Sequence, residues 1–98
     1  MLATKTQRVV DALSQELRFP RETILEQGLK ILVEKKLQEI RSEIFQITGK
    51  YGISSVEEME ERYKQGTLEE KDTWRDFQRL DHSQHMKERL EHLLRELE

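Results

Sequence analysis

Two groups of side chains in this 98-residue chain have types and spacing that invite a catalytic or metal-binding reading. His82 and His85 stand three apart beside Asp81, with His92 further on, so on a helix the first two imidazoles share a face. A zinc centre takes at least three protein ligands held by fixed partners. Two imidazoles supply only part of that set, and the expectation is a solvated helix surface with no metal and no cofactor. Glu57, Glu58, Glu60 and Glu61 form the densest carboxylate cluster. Acid–base catalysis needs two carboxyls in surroundings that push their pKa values apart, which a short charged helix without aromatic walls does not offer. The cluster reads instead as acids that suit a helix start and as an acidic surface for a basic partner. Ser14, Ser42 and Thr23 have no histidine close in sequence and no nucleophile-elbow glycines, and there is no glycine-rich phosphate loop. The chain reads as a non-enzyme.

Binding chemistry is better represented. Lys5, Arg8, Arg18 and Arg21 gather near the front, and of these Lys5, Arg8 and Arg21 are candidate phosphate contacts. Trp74, Phe77, Tyr51 and Tyr63 lie in acidic surroundings that repel a polyanion, so they read as core or interface anchors and not as a base-stacking platform.

The element that must position these groups is the stretch from Pro20 to Lys50. Apolar residues recur in it at Leu25, Leu29, Val33, Leu37, Ile40, Ile44 and Ile47, with Tyr51 just beyond, in steps of four and three that trace one helix face. From Val33 on, the alternation is a heptad seam. A second set, Ile24, Ile31, Leu32 and Phe45, widens the stripe, so this helix needs more than one neighbour. The seam residues Val33, Leu37, Ile40, Ile44, Ile47 and Tyr51 are the predicted homodimer interface, which Leu37→Glu or Ile44→Glu is predicted to dissolve.

Around it the chain reads as all-α, in the order helix, corner, long helix, short helix and long C-terminal helix, assembled as a dimeric bundle. Hydrophobic residues make up 35% of the chain against 38% charged, a balance that suits exposed helices or a shared core. One proline and four glycines leave little room for sheet turns. Thr4 or Thr6 can cap a first helix ending near Leu17, and Pro20 suits the first position of the second. Phe19 is predicted to point into the base of that corner. Gly49 and Gly52 predict a stop near Thr48. Ser54 or Ser55 with a Glu three residues on, and Thr67 with Glu70, are capping boxes for two further helices. Through the polar run Asp81 to His85 no Gly or Pro interrupts the last helix. Residues 1–41 carry eight Lys and Arg against six Asp and Glu, and residues 42–98 nine against fourteen, so a slightly basic front meets an acidic back. That asymmetry divides the chain into a helix-corner-helix dimerisation region, 1–50, able to face DNA, and an acidic partner-binding region, 51–98. There is no cysteine, no signal-like start and no run of about 18 apolar residues, so a cytoplasmic protein with no membrane partner is expected.

Arg8 to Leu17, the corner at Pro20 and the run PRETILEQGLKILVEKK resemble the two helices of ribbon-helix-helix repressors and antitoxins. The run KYGISSVEEMEERYKQGTLEEKDTW is similar to the acidic helical tails of small prokaryotic type II antitoxins. The strand by which such repressors read DNA has no match in Met1 to Gln7, so the resemblance implies dimeric helix packing and toxin binding and carries over no base-contacting residue. The reading is an antitoxin that occludes a protein toxin, with Trp74, Phe77, Leu80, Leu90 and Leu94 as partner-binding residues. The alternatives are a dimeric regulator bound to promoter DNA through the basic front, and a structural self-assembling bundle.

Overall fold

A computed structural model describes residues 2–98. Four helices follow one another: α1 Thr4–Leu17, α2 Arg21–Tyr51, α3 Val56–Gln65 and α4 Glu70–Leu97. The fold is all-α, and the described residues contain no strand. Of the stretch Met1 to Gln7, Met1 lies outside them. Among the described residues no helix is long and apolar enough to cross a membrane.

Helix α2, about 46 Å long at 1.5 Å per residue, is the spine. Helix α4 runs back along it, as three sets of contacts show: Lys50 and Tyr51 meet Asp76, Glu43 meets Arg79 and Ser83, and Arg41 meets Glu91. This antiparallel pair is the main contact of the fold, while α1 packs on α2 alone. The result is a rod of 61 × 24 × 20 Å with its core at one end. Ile47, Ile53, Val56, Met59 and Leu80 are buried together there, with Ile44, Tyr51, Tyr63, Leu68 and Phe77 packed around them.

The heptad seam therefore closes within the chain. Leu37 is 1% exposed and Ile47 is buried, with Val33, Ile40, Ile44 and Tyr51 partly covered, and α4 is the helix packed along this length of α2. What the periodicity assigned to a second subunit is occupied by the tail of the same molecule. Helix α2 runs through residues 50 and 51, and the core draws on both sides of them.

Helix ends show where tertiary contacts override local signals. Helix α2 passes Gly49 and stops only at Gly52, whose φ of +63° and N–H to the Thr48 carbonyl close it. Arg62 of α3 donates to the carbonyls of Tyr51 at 2.9 Å and Gly52 at 3.0 Å, satisfying acceptors a helix end leaves unpaired. At α3, the Ser55 hydroxyl accepts from Glu58 N–H at 3.1 Å, and the Glu58 carboxylate accepts from the Ser54 N–H and hydroxyl at 2.8 and 2.7 Å. Those bonds hold the Glu58 carboxyl below its usual range. The second capping box does not form, because the Thr67 hydroxyl and N–H both turn to the Arg62 carbonyl at the end of α3. Helix α1 begins at Thr4 after Ala3, without a side-chain cap, and Pro20 sits just before α2. The corner is made by Arg18 at φ +57° and by the Ser14 hydroxyl donating to the Phe19 carbonyl at 2.5 Å. Phe19 itself is exposed and not tucked beneath the corner.

Candidate functional site

Two surfaces carry side chains that the core does not use. The first lies where α3 meets the start of α4. Trp74 is 46% exposed and stacks on Phe77 with ring centroids 5.0 Å apart and planes 16° from parallel. Tyr63 is tilted against Phe77, with ring centroids 5.6 Å apart. The Tyr63 hydroxyl is 2.6 Å from Thr73 Oγ1, and Thr73 donates to the Glu69 carbonyl, so the tyrosine is the donor. The three rings line an open groove of about 280 Å³ with Glu60, Lys64 and Glu70. An amphipathic helix presents this shelf because residues 74 and 77 fall one turn apart on α4, while Tyr63 comes from α3, held down through Met59. Chemically it is an aromatic platform rimmed by two carboxylates and the Lys64 ammonium, suited to a side chain that is both greasy and cationic.

The other partner-binding candidates separate. Leu80 is 0% exposed and belongs to the core, so it is not a surface contact. Leu90 and Leu94 are half-buried. Leu90 lines a cleft of about 400 Å³ between α2 and α4, shared with Ile40 and Met86. Leu93, which the sequence leaves unassigned, is the exposed leucine of that end. His85 folds back onto the Asp81 carbonyl at 2.8 Å, and among the described residues no three His, Asp or Glu side chains converge as metal ligands.

The second surface is the outer side of α1 and the first half of α2. Lys5 and Arg8 are exposed on α1, whereas Arg21 is engaged by Asp11 in an ion pair across the corner. The three candidate phosphate contacts thus do not form one free cluster.

The α2–α4 pair beside the aromatic shelf is tied together by a polar node that sequence reading missed. Tyr51 hydroxyl and Lys50 ammonium donate to the same Asp76 oxygen at 2.6 and 2.9 Å, and Arg79 bridges Asp76 to Glu43, its Nη2 lying 2.6 Å from the Glu43 carboxylate. Lys50 also lies 5.3 Å from the Tyr51 ring centroid. The Tyr51 hydrogen bond, then that of Lys50, holds the Asp76 carboxyl below its usual range. Burial and the neighbouring Asp76 push the Tyr51 phenol up. The one sequence signal was register, since Asp76, Arg79 and Ser83 follow the helical spacing of Leu80. Because folding lowers the Asp76 pKa, the unfolded chain takes up a proton more readily; the stabilisation is present above about pH 4 and lost as pH falls through the depressed folded value. Acid titration of urea stability should therefore show a shallower fall in Asp76→Asn than in the wild type, and identical acid limbs would remove the node from the fold's energetics.

A family model described as the Uncharacterized protein MJ0235 family matches residues 1–98. The chain belongs to that family. No curated protein and no solved structure matches it. The MJ0235-family match spans all four helices, so the aromatic shelf, the polar node and the corner belong to one matched unit.

Proposed function

We propose that this MJ0235-family chain is a protein-binding module of the antitoxin type, acting in the cytoplasm, that occludes a basic protein partner with its acidic C-terminal half. The observation that supports this is the shelf of Trp74, Phe77 and Tyr63 left open beside Glu60 and Glu70. A half-exposed tryptophan seated on a second ring is an anchor that loses little side-chain freedom on binding, and tryptophan is enriched among residues that dominate interface energies. Carboxylates around it speed encounter with a cationic surface and select against an acidic one. Exposed Leu93 extends the same helix as a further apolar contact. Promoter binding draws less support, because Arg21 is engaged by Asp11.

The test is coexpression with the product of the adjacent gene, followed by copurification and titration. Trp74→Ala is expected to weaken the complex by about 2 kcal/mol, roughly 30-fold, while the free protein melts within a few degrees of the wild type, since the ring is half in solvent already. A neighbour that fails to copurify, or a Trp74→Ala protein that binds as well as the wild type, would sink the reading.

A further inference from the structure

We infer that the apolar face shared by α1 and the first half of α2 is the seat of a second copy of the chain, with Gly28 at the closest approach of the two α2 helices. Among the described residues eleven large apolar side chains are exposed, and eight of them lie within residues 2–32. Leu13, Leu17, Phe19, Ile24 and Ile31 line a single groove of about 570 Å³ around Gly28. Ile31, one of the residues lining it, is 63% exposed. Ile24 and Ile31 belong to the second apolar set on α2, Leu13 and Leu17 to α1 and Phe19 to the corner between them, and α1 packs on no helix but α2.

Gly28 gives the face a specific geometry. A glycine inside a 31-residue helix weakens it, and here a Cβ would meet nothing within 4 Å, so the chain gains no packing from the missing side chain. A helix arriving from outside would gain it, because glycine lets two backbones come close.

Area and charge select the occupant. The chain exposes 7724 Å². A compact monomer of its 11.8 kDa exposes about 5,900 Å², so this 61 Å rod has surface to spare for the roughly 800 Å² that a standard interface takes from each partner. Residues 2–32 carry five Lys and Arg against four Asp and Glu, so two copies of this face meet without net repulsion, whereas residues 33–98 carry twelve against sixteen. A near-neutral apolar face that is complementary to itself closes as a two-fold dimer, in which residues near the axis meet their own counterparts. This is independent of the basic partner proposed for the other end.

Sedimentation equilibrium of the full chain tests it. The wild type is expected to be a dimer with a dissociation constant below about 1 µM, and Ile31→Glu a monomer at about 100 µM with unchanged helical circular dichroism, since that side chain is in solvent within the subunit. Gly28→Leu should loosen the dimer at least tenfold while leaving the subunit as helical as before, a split that a role inside the subunit would not produce. The chain has no cysteine, so Gly28→Cys should give a covalent dimer on mild oxidation where Glu60→Cys does not. A wild type that is monomeric at about 100 µM, a dimer untouched by Gly28→Leu, or equal cross-linking at positions 28 and 60 overturns the inference. A monomer that instead binds neutral lipid vesicles overturns it in favour of a membrane surface as occupant.

Discussion

Leu37→Glu is expected to unfold the α2–α4 pair, lowering stability by more than about 4 kcal/mol, and not merely to separate two subunits. Leu37 is 1% exposed in the middle of α2, on the side that α4 covers. A glutamate there either stays charged without a partner, protonates at the expense of a raised pKa, or forces α4 away; each costs several kcal/mol. A small domain holds about 5–15 kcal/mol in total, so the variant should show a largely lost urea transition by far-UV circular dichroism. Phe45→Glu is the matching control. Phe45 is 77% exposed on a different side of the same helix, and a charge there should change subunit stability by no more than about 0.5 kcal/mol. A Leu37→Glu protein that keeps its full transition but sediments as a monomer would return the seam to a contact between subunits.

The contrast between those two positions shows what a sequence can reveal here. Spacing of four and three identified the buried side of α2, because a helix repeats at 3.6 residues whatever covers it. It could not identify the cover. Toward α2, α4 presents Leu80, then Ser83, which is buried at 3% exposure, and then Met86 and Leu90 beside Ile40, so a polar residue interrupts its stripe and the face reads less plainly than that of α2. The ion pairs that complete the contact join residues 26 and 36 positions apart, Lys50 with Asp76 and Glu43 with Arg79, and local pattern carries no trace of such partners. Punctuation was legible where the signal is satisfied within a few residues, as at Ser55 with Glu58. It failed where another group competes for the same atoms. Gly49 does not end α2, because the helix continues to Gly52, where Arg62 caps the last carbonyls, and Thr67 does not cap α4, because its hydroxyl closes α3. Of the candidate site, Trp74 and Phe77 could be named from type and spacing. Their third ring, Tyr63, depends on where α3 docks, which only the fold decides.

That docking makes Leu80 the second position of large effect. Leu80→Ala is expected to cost about 2–5 kcal/mol, the range for deleting most of a buried leucine from a packed core. Leu80 is fully buried in one cluster with Ile47 of α2, Ile53, and Val56 and Met59 of α3. Helix α3 has ten residues, six of them charged, and only Val56 and Met59 are buried, so it is held to the α2–α4 pair largely through this cluster. A cavity at Leu80 should release α3 first, taking Tyr63 away from Phe77, and hydrogen exchange should show α3 amides opening before those of α2. Leu80→Met, which keeps most of the volume, should cost under about 1.5 kcal/mol. The pair of substitutions also separates two roles. If Leu80 acts only through the core, partner affinity falls in Leu80→Ala in step with the stability of α3 and returns in Leu80→Met, whereas Trp74→Ala loses affinity with stability intact. A Leu80→Ala protein as stable as the wild type yet unable to bind would instead make Leu80 a direct contact, and would mean that α3 swings away when the partner docks.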